Sequence, residues 1–476
     1  MESRRPSRRL PDRHANPYTL AVTSPPSSTL SPTAPALVGR EADSRPPAGD
    51  ETPWIGWIRE THGASEAPSA TPAPPPAEFF WESPEGEALY ASGEAARLEC
   101  DGSGRFAEAR SWLQALRALA RFEGELPEDG LVAFARFSFE DDGSPGGASA
   151  PGTLFVPSRL LVRRPGERDR RYEWEPARAE TSPRGRAEGA GRPPAEEPPR
   201  SDWSREGWDR AVGQVLARIG AGDLEKVVLA RTRLLQAEGC WDPEALFLRL
   251  RREYPSCYRF LCRDPGGATL VGASPERLVS LRGGLVKTDA VAGTSRADGD
   301  ADGRAGTDLL ANAKETREHA VVAREIAAAL REAGAEVEPF PAPSVFRLQR
   351  LIHLRAQVTA TAPSGVGILD LVERLHPTPA VAGTPRAAAL EAIGRLEPRR
   401  RGWYAGPIGW ACAAGEGDFT VGLRTAWLQG GRALLFAGAG IVAGSDAGRE
   451  WEECDSKMDV IQEALAEEAL ERGVPT

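Results

Sequence analysis

Trp208, Val212, Val215, Leu216 and Ile219 recur at three- and four-residue intervals, and that spacing predicts an amphipathic helix over about 206–219. Ser204 stands where a helix cap belongs, and Gly220-Ala221-Gly222-Asp223 ends the pattern. The period then changes: Lys226-Val227-Val228-Leu229-Ala230-Arg231 is a β-branched apolar run that reads as a buried strand opening on a lysine. A further helix is predicted over about 243–254 and a strand near 258–261. Short strands follow over 271–279 and 285–294, punctuated by Gly272, Pro275 and Gly293, which sets Glu276 at a rigid strand–turn junction. A long helical pattern covers about 309–333. Residues 418–427 pair with 433–442 across a Gln429-Gly430-Gly431 turn, and a last helix follows Ser445-Asp446 as cap residues.

Ahead of residue 203 the pattern is weaker. Residues 86–164 alternate strand-like runs, clearest at 130–139 and 153–157, with one helix over 106–121. Residues 1–77 are rich in Pro, Ser, Ala and Arg and read as a disordered tail, and the polar stretch 165–202 reads as a surface excursion. No internal repeat is visible.

Composition narrows the class. The 476 residues carry a net charge of −10, which argues against a nucleic-acid or membrane-surface protein as a whole. No apolar run reaches the ~18 residues of a membrane span. Cysteines at 100, 240, 257, 262, 412 and 454 form no CxxC and lie near no histidine at zinc spacing, as suits buried thiols in a reduced cytoplasm.

The cations are more telling. Of 59 basic residues only four are lysines: Lys226, Lys287, Lys314 and Lys457. Arginine keeps its proton at any ordinary pH, whereas burial lets a lysine amine lose one. Lys226, at the head of an apolar strand, is either a lysine snorkelling from a strand end or a group kept for proton transfer.

Two glutamate pairs stand at i, i+3 on helix faces: Glu315 and Glu318 in the 309–333 pattern, Glu450 and Glu453 at the start of the last helix. Brought together they repel unless a hard dication sits between them, and Mg²⁺ favours this kind of oxygen ligand. Left apart, they are two solvated helix faces. Gly438 and Gly440 allow close approach to the backbone, and Arg424, on the preceding strand, is suited to clamp a carboxylate.

Taken in order, the blocks Lys226-Val-Val-Leu-Ala-Arg231, Gly272-Ala-Ser-Pro-Glu276, Ala292-Gly293-Thr294, Lys314-Glu-Thr-Arg-Glu-His319, Ile352-His353-Leu354, His376-Pro-Thr-Pro-Ala-Val381, Arg401-Gly-Trp-Tyr404 and Gly438-Ala-Gly-Ile441 resemble the chorismate-utilising enzymes, the group that includes anthranilate synthase component I. The resemblance is strong over 203–470 and weaker over 80–165. It implies an α/β (α+β) fold, one large chorismate-binding domain of two packed antiparallel sheets edged by helices. On that reading 78–202 is the N-terminal part of the catalytic domain and 203–476 its chorismate-binding core. Cys454 departs from the family pattern, where Thr is common, but keeps the residue small.

The resemblance also implies roles. Mg²⁺ maps to Glu315, Glu318, Glu450 and Glu453, facing the ring carboxylate. Substrate contacts map to Gly293, Thr294, His353, Tyr404, Arg424, Gly438, Gly440 and Lys457. Lys226 becomes the general base toward water attacking C2, and Glu276 the general acid toward the hydroxyl leaving C4. Lys226 together with Ala292 points to water rather than ammonia as nucleophile, hence to the isochorismate synthase branch with no glutamine amidotransferase subunit. A salicylate synthase, which goes on to eliminate pyruvate, is the alternative. Menaquinone supply, with catechol siderophore supply as the alternative, a cytoplasmic location, and a monomer or weak homo-oligomer complete the expectation, with chorismate as the small-molecule partner and neither nucleic acid nor membrane.

Overall fold

The computed structural model describes residues 56–61, 78–123, 131–141, 151–176, 203–297 and 303–472. Their strands form one hydrogen-bonded network rather than two separate sheets, and the strand Gly152–Arg163 is its branch point. Along its length it pairs with Ala88–Cys100; on its other edge the first part pairs with Val132–Phe137 and the second with Arg170–Pro176.

Two antiparallel arms leave this point. One runs from Val132–Phe137 through Pro407–Cys412, Gly417–Val421, Arg277–Arg282 and Leu285–Arg296 to Leu351–Thr361. The other runs from Ala88–Cys100 through Phe79–Glu82, Tyr258–Arg263, Thr269–Ser274, Thr425–Gln429 and Arg432–Val442 to Lys226–Gln236. Their inner faces meet through aromatic rings, with Phe79 and Phe134 centroids 4.5 Å apart and Trp81 edge-on to Trp410 at 6.4 Å. The expected pair of facing sheets is therefore present as two arms of one sheet. Pro407–Cys412 is buried at every residue, which is why its sequence lacks the alternation of a half-exposed strand.

Helices cover the arms. Ala313–Glu332 packs on Leu285–Arg296, near the end of the first arm, and Ala447–Arg472 packs on Arg432–Val442, near the end of the second. Each glutamate pair is thus placed near the far end of one arm, and ion pairs join them there.

Local chemistry explains several boundaries. Ser204 caps Arg205–Gly220 by accepting from Gly207 N at 3.1 Å, and Asp446 caps the last helix by accepting from Arg449 N at 3.0 Å. The pattern over 309–333 is broken, not continuous. Arg304–Ala311 ends at Asn312, whose extended backbone and side chain start a new helix by accepting from Lys314 N at 2.9 Å.

Three further expectations are corrected. The 418–427 strand is interrupted: Gly417–Val421 and Thr425–Gln429 lie in different arms, and Arg424 sits at the break with φ +49° rather than projecting from a strand. The supposed tail contributes the strand Gly56–Thr61, which pairs with Arg170–Pro176 and, in parallel, with Ala120–Glu123. The polar excursion accordingly begins with a paired strand. The rest of 1–77, and 177–202, lie outside the described residues. The six cysteines form no disulfide, and all but Cys240 are buried. No helix among the described residues is long and apolar enough to cross a membrane.

Asn312→Ala removes the cap of the helix that carries Glu315 and Glu318. It is expected to cost about 1 kcal/mol of stability, read as a lower thermal midpoint, whereas substitution of the neighbouring exposed Ala313 by Ser leaves the midpoint nearly unchanged.

Candidate active site

Lys226 opens its strand between Thr384 on one edge and Val442 on the other, and only 1 % of it is exposed. Next to it the strand is latched from outside. Glu397 accepts from Ala230 N at 2.8 Å, Arg401 donates to Val228 O at 2.8 Å, and the two side chains pair with each other at 2.6 Å. With no freedom to snorkel, the Lys226 ammonium turns inward and meets Glu318 Oε1 at 2.8 Å. Gly440 makes that contact possible, because a Cβ there would stand 3.0 Å from Lys226 Cε and collide with the Glu318 carboxylate.

The other glutamates are tied in the same manner. Lys314 Nζ lies 2.9 Å from Glu450 Oε1 and 3.6 Å from Glu315 Oε1. Lys457 Nζ lies 2.6 Å from Glu453 Oε1 and donates to Gly438 O at 2.7 Å. Three lysines thus hold four carboxylates from two helices. Burial, and then Glu318, push the Glu315 carboxyl above its ordinary range, with Lys314 pulling the other way; burial and Glu453 do the same to Glu450. Burial also acts to raise Glu318, but Lys226 beside it outweighs that and holds it below the usual value.

This donor set suits a hard dication. All four ligands offered are carboxylates, and the like-charge repulsion that raises Glu315 and Glu450 is what such an ion relieves. Among the described residues no three His, Cys, Asp or Glu side chains form a ready cage, since each of these carboxylates is engaged by an ammonium.

Glu276 sits at the turn between Thr269–Ser274 and Arg277–Arg282, 2 % exposed. Its N–H reaches Ser274 Oγ at 3.3 Å, its carbonyl accepts from Thr420 Oγ1 at 2.7 Å and from Val421 N at 3.2 Å, and Thr378 Oγ1 donates to its Oε1 at 3.4 Å. No ammonium forms an ion pair with it among the described residues. Burial lifts its carboxyl to a pKa of about 8, opposed chiefly by the charge of Lys226, so it is protonated at neutral pH.

A third group is built around Arg424. Its Nη2 donates to His353 Nε2 at 3.2 Å, while His353 Nδ1 lies 3.2 Å from Gly293 O and 3.3 Å from Thr294 Oγ1. The carbonyl fixes the proton on Nδ1 and leaves Nε2 to accept from the arginine. Burial and the nearby Arg424 charge keep this imidazole neutral, with its pKa well below the usual value. Arg424 is buried, its Nε has no partner, and among the described residues no carboxylate pairs with it. An uncompensated guanidinium held in a left-handed backbone conformation is a receptor for an incoming anion.

Gly293, left out of the strand register with φ +78°, gives Glu315 its room: a Cβ there would stand 3.1 Å from Glu315 Oε2. Tyr404 stacks on Phe436 at 5.1 Å, and its hydroxyl lies 3.0 Å from where a Gly438 Cβ would be. The space left by Gly438 and Gly440 is therefore taken by Tyr404 and Glu318, not reserved for a ligand alone. Ion pairs and hydrogen bonds join the lysines to the glutamates and Arg424 to His353, whereas Glu276 is joined to this region through the electrostatic influence of Lys226 and Lys457.

Thr378, Thr420, Glu397 and Arg401 were given no role from sequence. Thr378 and Arg401 lie inside blocks already quoted, and the i, i+4 spacing of Glu397 and Arg401 was the available signal for the latch. His319 and His376 are core side chains, facing Ala290 O at 3.0 Å and Phe139 O at 3.3 Å.

The model of the chorismate binding enzyme family matches residues 68–466, and the chain belongs to that family. The salicylate biosynthesis isochorismate synthase of Pseudomonas aeruginosa is 37 % identical over 429 residues, 83 % of this chain and 87 % of that protein. Among solved structures, MenF, the menaquinone-specific isochorismate synthase of Escherichia coli, superposes with a TM-score of 0.68 at 25 % identity, covering 87 % of this chain and 96 % of its own. A putative 2,3-dihydroxybenzoate-specific isochorismate synthase, DhbC of Bacillus anthracis, gives 0.65 at 28 % identity, over 82 % and 96 %.

In Gly440→Ala the added methyl meets the free end of the Glu318 side chain, which swings off Lys226 while the fold survives. Turnover of chorismate is expected to drop about 100-fold with little change in thermal midpoint; unaltered kinetics show that the Lys226–Glu318 contact is dispensable.

Proposed function

We propose that the chain is an isochorismate synthase, adding water at C2 of chorismate with loss of the C4 hydroxyl. The observation that carries this reading is a buried lysine at the same site as a buried carboxyl that stays protonated at neutral pH. In the reaction the water oxygen bonds to C2 and its proton passes to Lys226. Both ring double bonds shift, C1=C2 to C1=C6 and C5=C6 to C4=C5, the C4–O bond breaks, and Glu276 gives its proton to the departing hydroxyl, which leaves as water. Arg424 and Tyr404 hold the pyruvyl carboxylate, with the neutral His353 fixing the guanidinium.

Glu315, Glu318, Glu450 and Glu453 are the residues that would hold Mg²⁺, which supplies the positive charge a dianionic substrate needs among four glutamates. Lys457 adds charge beside them. Release of isochorismate to a separate salicylate-forming step is favoured over menaquinone supply by the likeness to the Pseudomonas aeruginosa protein, which spans most of both chains.

Incubation with chorismate and Mg²⁺, followed by product chromatography, tests the assignment. Isochorismate alone is expected; salicylate with pyruvate instead identifies a salicylate synthase, and unchanged chorismate refutes both. Because Glu276 donates its proton, kcat should fall about tenfold per unit as pH rises above about 8. In Glu276→Gln that alkaline limb should vanish and kcat should drop by about 10²–10⁴; a limb that persists in the variant assigns the acid to another group.

A further inference from the structure

Lys314 lies in the first turn of Ala313–Glu332, the positive end of the helix dipole, where a carboxylate is favoured and an ammonium is not. Its position is explained by what it reaches. Its Nζ spans from Glu315 on its own helix, at 3.6 Å, to Glu450 on the last helix, at 2.9 Å. Among the described residues no other cation makes an ion pair with either carboxylate. One ammonium therefore joins the two glutamate pairs across the two helices.

We propose that Lys314 is a built-in counter-cation that holds the two glutamate pairs together before the dication arrives and is displaced from Glu450 when it binds. This inference rests on the reading of the four glutamates as the dication site. It gives Lys314 two opposed effects: it stabilises the metal-free fold, and it weakens dication affinity by competing for the same oxygens. A lysine serving only as a tie between helices has the first effect without the second.

The test is calorimetric titration of the purified full chain with Mg²⁺ in the absence of chorismate, together with thermal unfolding with and without Mg²⁺. Lys314→Met should bind Mg²⁺ about tenfold more tightly than the wild type, since a competing charge has been removed. Its metal-free midpoint should fall, and saturating Mg²⁺ should restore it to the wild-type value. Lys314→Arg, which keeps the cation, should retain both the affinity and the metal-free midpoint of the wild type. Unchanged or weaker affinity in Lys314→Met, or a midpoint deficit that Mg²⁺ does not repair, overturns the inference alone. A wild-type chain that binds no Mg²⁺ overturns the dication-site reading with it.

Discussion

Most charged groups in this site are buried, with the Lys314 and Glu453 side chains partly exposed, and the arrangement follows from how each loss of hydration is offset. A buried carboxylate is tolerated when a cation or hydrogen-bond donors replace its solvent. Glu318, Glu450 and Glu453 each have a close ammonium, Glu315 shares that of Lys314, and Glu318 is held ionised as a result. Glu276 is the exception. It has one long hydrogen bond from Thr378 and no ion-pair partner, so burial prevails and the proton stays. Burial thus acts on both Glu318 and Glu276, and the Lys226 ammonium beside Glu318 decides which of them stays ionised.

The fold makes that placing possible. The two arms of the sheet start together at Gly152–Arg163, and near their far ends the glutamate helices on Leu285–Arg296 and Arg432–Val442 are tied to each other and to the Lys226 strand by ion pairs. Gly440 and Gly293 leave room for Glu318 and Glu315 to enter between backbone segments, and the Glu397–Arg401 pair fixes the strand from which Lys226 points inward. Arg424 serves the opposite need. It is a buried cation without an anion among the described residues, and its neighbour His353 is kept neutral so that it accepts from the guanidinium instead of repelling it.

Elements governed by local pattern were legible in the sequence. The Ser204 cap, the Lys226 strand and the turn at Glu276 follow from spacing and capping chemistry, and the structure has them. The rarity of lysine was also readable: three of the four gather at the glutamates, while Lys287 lies in a strand opposite Ser280 and Thr359. What escaped depends on contacts distant in sequence. The apolar pattern runs smoothly through Asn312 and Arg424, and only the fold shows that one starts a helix and the other sits at a break between arms. Likewise i, i+3 spacing put Glu315 beside Glu318 and Glu450 beside Glu453, but did not show that ammonium groups from other segments hold them.

The central claim is that desolvation keeps Glu276 protonated at neutral pH while the four glutamates around the lysines are compensated. Difference infrared spectroscopy between the wild-type chain and Glu276→Gln at pH 7 tests it most directly. The account predicts a protonated-carboxyl carbonyl band that is absent from the variant and that converts to carboxylate as pH rises through about 8. A spectrum in which Glu276 contributes only carboxylate bands at pH 7 would contradict it.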